Sequence, residues 1–191
     1  MIYADPTTTG DMATTPCRPR TSGRFAIDAR QTYLTVRSRR LGVRHTATVW
    51  GLAGELEVPD ELRATSVRAT VQPGAVITGA PWRWMRSRRA ARTGGAVAGT
   101  TFAADRLHPI LDSYTTPDGD RPLWALEGEL TVHGHSRPAR AALCVLRQSR
   151  DGRTVDFEAT LTVRPADYGL PAGLGRRNEV HVRVVGVAVA C

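Results

Sequence analysis

From about residue 23 onward, apolar and polar residues alternate along most of the chain with a period of two. The clearest case is "TVDFEATLTVR", where Val155, Phe157, Ala159, Leu161 and Val163 fall on one side and Asp156, Glu158, Thr160, Thr162 and Arg164 on the other. Successive side chains of a strand point to opposite faces, so this pattern predicts an antiparallel strand with one buried and one wet face. In "LEGELTVHGHSRPARAAL", Leu126, Gly128, Leu130 and Val132 alternate with Glu127, Glu129, Thr131 and His133. After a Gly/Ser/Pro segment the alternation resumes with Ala139, Ala141, Leu143 and Val145, which predicts a hairpin. The final "EVHVRVVGVAVA" alternates through Val180, Val182 and Val184, then changes phase around Gly186, and a β-bulge is expected there.

Shorter strands are legible in "RFAIDA", "TYLTVRSRR", "ATVWGLAGELEV" and "TSVRATVQP", bringing the total to about eight. Helical periodicity is scarce. A run of about eight antiparallel strands closes on itself because closure removes exposed edges, so the predicted fold class is an all-β, antiparallel barrel rather than a sandwich. The segment from residue 79 to 112, "GAPWRWMRSRRAARTGGAVAGTTFAADRLHPILD", departs from the pattern. It reads as a short helix opened by Pro81, followed by irregular chain lying over part of the barrel. Residues 1–22 are rich in Thr, Pro, Gly and Asp without periodicity and read as a disordered arm, leaving residues 23–191 as the barrel domain.

Composition narrows the class further. A chain of 191 residues with 41% hydrophobic and 23% charged residues suits one globular domain with a buried core. No run approaches the roughly 20 apolar residues of a membrane helix, and the first residues lack an apolar core behind a basic start, so the expected location is the cytoplasm. The formal net charge is +8, and all 26 basic residues are Arg. Such a surface attracts anions, whether nucleic acid, anionic lipid or a phosphorylated head group; the plainer alternative is a solvated basic surface with no dedicated partner. Cys17, Cys144 and Cys191 are far apart and form no CxxC, which argues against a disulfide framework or a zinc site, and Cys144 reads as a small buried hydrophobe.

Little in the chain points to catalysis. His133 and His135 at i and i+2 would share one face of a strand, as a metal site requires, but Gly134 between them and Pro138 beyond signal a turn, and a third ligand is missing nearby. Glu127, Glu129 and Glu158 occupy polar strand faces, no G-x-S-x-G occurs, and "GLPAGLG" at 169–175 lacks the Lys and helix of a phosphate loop. No catalytic residue, metal or cofactor is assigned, and the expectation is a protein that is not an enzyme.

Five stretches taken in order resemble the YceI-like family of polyisoprenoid-binding proteins. They are "GRFAIDARQTYLTVRSRRLG", "TVWGLAGELEV" with its Gly-x-x-Gly, "LEGELTVHGHSRPARAAL", "FEATLTVRPADYGL" and "EVHVRVVGVAVA", spanning residues 23–191. The family's Arg-Asp-x-His-Leu block is missing, with "WRWMRSRRAARTGGAVAGTTFAADRLHPILDSY" in its place. The resemblance implies a lipocalin-like barrel around an apolar tunnel that binds or carries an isoprenoid lipid or an isoprenoid quinone.

Candidates for the lumen or its mouth are then Phe25, Ile27, Trp82, Trp84, Phe102, Trp124, Leu130, Val132, Phe157 and Leu161. The aromatics among them are either a collar around the ligand or ordinary core. Arg83, Arg86, Arg88 and Arg89 are candidates for an anionic head group or an anionic membrane surface, against a solvated helix face. Two rivals stand beside this reading. A basic barrel binding single-stranded nucleic acid would carry exposed aromatics on its outer face, and an enzyme acting on a lipid-like substrate would work from within the barrel.

Overall fold

The computed structural model describes residues 22–40, 43–59, 65–79, 99–116, 119–169 and 179–191. They form nine strands: β1 (Gly23–Ile27), β2 (Tyr33–Arg40), β3 (Val43–Val58), β4 (Ser66–Gly79), β5 (Thr101–Thr116), β6 (Gly119–Val132), β7 (His135–Gln148), β8 (Thr154–Val163) and β9 (Val180–Ala190). Among the described residues one 3₁₀ turn, Pro165–Tyr168, is found, and it follows β8. The strands make one antiparallel sheet in the order β1-β3-β2-β9-β8-β7-β6-β5-β4, and a further β3–β4 pairing closes it into a ring. The all-β barrel read from the alternation is the observed fold.

Nine strands fill eight places. β1 pairs with the last residues of β3 and β9, Phe25 opposite Leu56 and Ala190, while β2 pairs with their first halves, Tyr33 opposite Trp50 and Val185. The two are collinear pieces of one broken strand. At the break Asp28 organises a tight turn, its carboxylate accepting from the Arg30 N–H at 2.8 Å and the Gln31 side-chain amide at 2.7 Å. Thr32 then tucks into the wall: fully buried, it accepts the Val187 N–H at 3.3 Å and fills the space over Gly186.

That packing corrects the expected bulge at Gly186. β8 and β9 pair without a register shift from Thr154–Val189 to Val163–Val180. The inward series continues through Gly186 and Ala188, and the apparent phase change arises because Val185, Val187 and Val189 stand on the outer face while small residues face in.

The opposite side of the ring is less regular. β4 and β5 share only four residue pairs, Val67 to Thr70 against Thr101 to Ala104. On either flank a glycine folds the sheet. A Cβ on Gly54 would run into the Arg68 carbonyl oxygen and Ala69 Cα; a Cβ on Gly128 would run into the Ala103 carbonyl oxygen and Ala104 Cα. Only glycine permits such close backbone approach. The two corners are images of each other. Gly54-Glu55-Leu56-Glu57-Val58 and Gly128-Glu129-Leu130-Thr131-Val132 are the same pentapeptide but for one position, and Gly54 faces Ala69 as Gly128 faces Ala104. A local two-fold axis through the Arg68–Ala103 pair relates them.

Part of the 79–112 segment is also corrected. Gly79 ends β4, and residues 101–112 belong to β5. Their alternation is hidden because the register against β6 slips between Ala104 and Arg106 and again between Pro109 and Ser113. The first slip, by one residue, moves the later side chains to the other face, and the second, by two, interrupts the ladder, so no unbroken period of two runs through the strand. Residues 80–98, with the expected helix, and residues 1–21, with the expected arm, lie outside the described residues.

Candidate ligand-binding lumen

Inward-facing residues of every strand from β1 to β9 enclose a cavity of about 190 Å³. Along β9 its lining runs from Val180 to Ala188, roughly 25 Å of strand at ~3.3 Å per residue. Small side chains such as Ala69, Ala141 and Ala159 leave the space that Leu130, Phe157 and Leu161 bound. Among the described residues that line it none is charged, and only Thr100 and Tyr168 bear a hydroxyl.

The two ends of the lumen differ. At the lower end Phe25, Val58, Val155 and Ala188 form a buried apolar cluster with Leu56, Val145, Phe157 and Ala190 packed against it. This is a floor of hydrocarbon. At the upper end β8 parts from β7 after Thr160, and the 3₁₀ turn brings Tyr168 into the wedge, against Leu130, Val132, Ala139 and Val163. Tyr168 is 4% exposed, and burial, with the Asp167 charge second, pushes its phenol pKa up.

Six of the ten lumen candidates line the cavity: Ile27, Phe102, Leu130, Val132, Phe157 and Leu161. Phe25 does not line it and belongs to the floor. Trp124 shares the inward parity of Leu126 but packs beside Leu107 and Ala141 without reaching the cavity. Trp82, Trp84, Arg83, Arg86, Arg88 and Arg89 lie outside the described residues. Sequence reasoning missed Leu34, Val36, Val182 and Val184, although their alternation within β2 and β9 carried the signal. Thr100 and Tyr168 had no comparable signal, because each stands next to an irregular segment.

The histidines make a turn. His133 and Gly134 have φ of 53° and 78°, the positive values at both central positions that a two-residue type I′ hairpin requires. The hairpin is pinned by Thr131 and Ser136, whose hydroxyls lie 2.7 Å apart. His135 lies over Gly169, its Nε2 3.0 Å from where a Cβ would stand, so the "GHSRP" and "ADYG" stretches meet in space. Among the described residues no cluster of three or more His, Cys, Asp and Glu side chains has the geometry to hold a metal ion.

The remaining carboxylates sit on the outer wall. Glu127 is 3.2 Å from His108 Nε2 and 3.8 Å from Arg140 Nε. Glu158, 5% exposed, accepts two 2.7 Å hydrogen bonds from the Arg183 guanidinium. Beside it Cys144 is buried on that same wall, and desolvation, with the Glu158 charge second, raises its thiol pKa. Further along, Trp50 is 39% exposed with its ring 4.8 Å from Tyr33, an aromatic pair open to solvent.

No helix among the described residues is long and apolar enough to cross a membrane. No curated protein matches the chain. Solved structures share its fold, and two of them illustrate the likeness. One is BcnA of Burkholderia cenocepacia, at TM-score 0.63 and 13% identity over 85% of this chain and 99% of that one. The other is a polyisoprenoid binding domain from Saccharophagus degradans implicated in plant cell wall breakdown, at TM-score 0.60 and 18% identity over 90% of this chain and 100% of that one. The profile of the YceI-like domain matches residues 25–188, nearly the whole ring together with its lumen, and the chain belongs to the YceI-like family.

Proposed function

We propose that this protein binds and carries a long apolar lipid of isoprenoid type inside the barrel, and that it does so without catalysing a reaction. The observation that carries the reading is the lumen itself, a closed ring around a cavity whose described lining residues bear no charge. The Saccharophagus degradans domain of similar fold, described as polyisoprenoid-binding, supports it. Each 100 Å² of apolar chain removed from water is worth about 2.5 kcal/mol, so a buried prenyl tail supplies micromolar affinity with few polar contacts. A quinone tail meets the same requirement. Contact with an anionic membrane during loading is in keeping with the net charge of +8.

Native mass spectrometry of protein purified from its own host, followed by organic extraction, tests this directly. A co-purifying apolar lipid is expected, and Ala159→Phe, which fills the lumen, should abolish its retention while the far-ultraviolet spectrum stays that of a barrel. Absence of any lipid, together with failure to bind added geranylgeraniol, overturns the proposal. The exposed Trp50–Tyr33 pair favours one second reading, a nucleic-acid face on the outer wall. Oligonucleotide binding that weakens steeply with salt and is lost in Trp50→Ala would establish it.

A further inference from the structure

Beside the upper end of the lumen the outer wall holds a trough of about 740 Å³. It lies where β7 and β8 part: their pairing stops at Ala142–Thr160, so from Ala141 and Leu161 onward neither strand has the other on its facing edge. Edges of this kind offer backbone N–H groups that no strand satisfies. Among the described residues five arginines line the trough against two carboxylates, Asp167 and Glu179. Three of the five are neutralised, Arg164 by Glu179 at 3.2 Å, Arg183 by Glu158 at 2.7 Å and Arg140 by Glu127 at 3.8 Å. Arg37 and Arg137 are exposed and form no ion pair among the described residues; the Arg137 guanidinium donates to the Ser136 carbonyl at 3.0 Å.

These two cations flank the parting. Arg37 on β2 stands opposite His181 on β9, and His181 opposite Thr162 on β8, its Nδ1 3.2 Å from the Thr162 hydroxyl, while Arg137 stands on β7 beyond the gap. Guanidinium groups on either side of open amides suit a phosphoryl group, which takes paired hydrogen bonds from arginine. The trough also shares a wall with the lumen. Leu161, Val163, Tyr168 and Val182 line both, so one layer of side chains divides them. Tyr168, which fills the wedge, feels the charges of Asp167 and Arg137 from the trough side.

We propose that the trough binds a phosphate or diphosphate group, and that this group is the head of the lipid whose tail fills the lumen. The inference rests on the lipid-binding reading above. A prenyl phosphate that passes Tyr168 at the rim reaches both compartments: its tail meets hydrocarbon, and its anion keeps water and two cations rather than entering the barrel, where burial without a cation is prohibitive.

The test measures binding of geranylgeranyl diphosphate, geranylgeraniol and inorganic pyrophosphate to the intact chain by calorimetry. The lipid diphosphate is expected to bind at least about tenfold more tightly than the alcohol and about a hundredfold more tightly than pyrophosphate. The double variant Arg37→Gln, Arg137→Gln should weaken the lipid diphosphate about thirtyfold. Arg150→Gln with Arg153→Gln removes the same charge at the exposed β7–β8 turn beside the floor and should weaken it less than about twofold. Equal losses in the two double variants, or equal affinity for lipid diphosphate and alcohol, overturn the trough as the head-group site and leave lipid binding standing. Pyrophosphate that binds as tightly as the lipid diphosphate makes the ligand a free anion and overturns its link to the lumen. Failure of both lipids to bind overturns the lipid reading as well.

Discussion

The ring has a regular side and a folded side. β8 and β9 share ten uninterrupted pairs, whereas β4 and β5 share four, flanked by the Gly54 and Gly128 corners. On the regular side side chains set the packing; on the folded side backbone meets backbone. The difference determines which changes neighbours can absorb. Thr32 over Gly186 is a side chain that can be trimmed, but the Ala103 carbonyl under Gly128 cannot be.

Gly128→Ala is therefore the harshest single change, expected to remove about 4 kcal/mol or more in chemical denaturation, with Gly54→Ala close behind. A loss below about 1 kcal/mol would mean that the corners are not tight. Phe25→Ala empties the floor and should cost about 3–5 kcal/mol. Gly186→Ala on the regular side should cost about 2 kcal/mol and be partly rescued by Thr32→Ala, the double variant standing about 1 kcal/mol above the sum of the singles. Equal coupling between Gly128→Ala and any trimmed side chain would erase the contrast between the two sides.

On the regular side's outer wall, Arg183→Met withdraws the cation from buried Glu158 and should cost about 2 kcal/mol at neutral pH. The smallest effect belongs to the β7–β8 turn. Asp151 is fully exposed, and its carboxyl is held below the usual range chiefly by the Ser149 hydroxyl and then by the Arg153 N–H. A depressed folded pKa means a contribution present above the unfolded value of about 4 and lost as pH falls through the folded one. The melting temperature of Asp151→Asn should thus lie slightly below the parent's at pH 7 and converge with it below about pH 4. A gap that stays the same from pH 7 to below about pH 4 would place the carboxyl in its ordinary range.

The same division explains what the sequence made legible. In β8 the alternation runs from Val155 to Val163 because its register with β9 never slips, and the facing of Phe157 and Leu161 followed from it. In β5 two slips hid the strand even though Phe102 was recognised as an aromatic of interest. The Gly-Glu-Leu-x-Val repeat stands in plain view at 54–58 and 128–132, but its role as a pair of corners depends on which backbone lies opposite, which local pattern does not encode. For the lumen, parity alone reached Ile27, Leu130 and Val132. It misplaced Phe25, which has the inward parity and sits below the cavity, because parity tells the face and not the depth. Thr100 escaped for a third reason: a hydroxyl without a partner is visible only once every neighbour is in place.

The packed floor beneath the lumen bears on traffic. On the reading proposed here, a tube sealed at one end by Phe25 and Val58 is no conduit: cargo cannot be pushed through from a donor on one side to an acceptor on the other. Loading and unloading then share a doorway and take turns, so an incoming lipid waits for the outgoing one. Delivery speed becomes a matter of how long the occupant stays rather than how fast newcomers arrive.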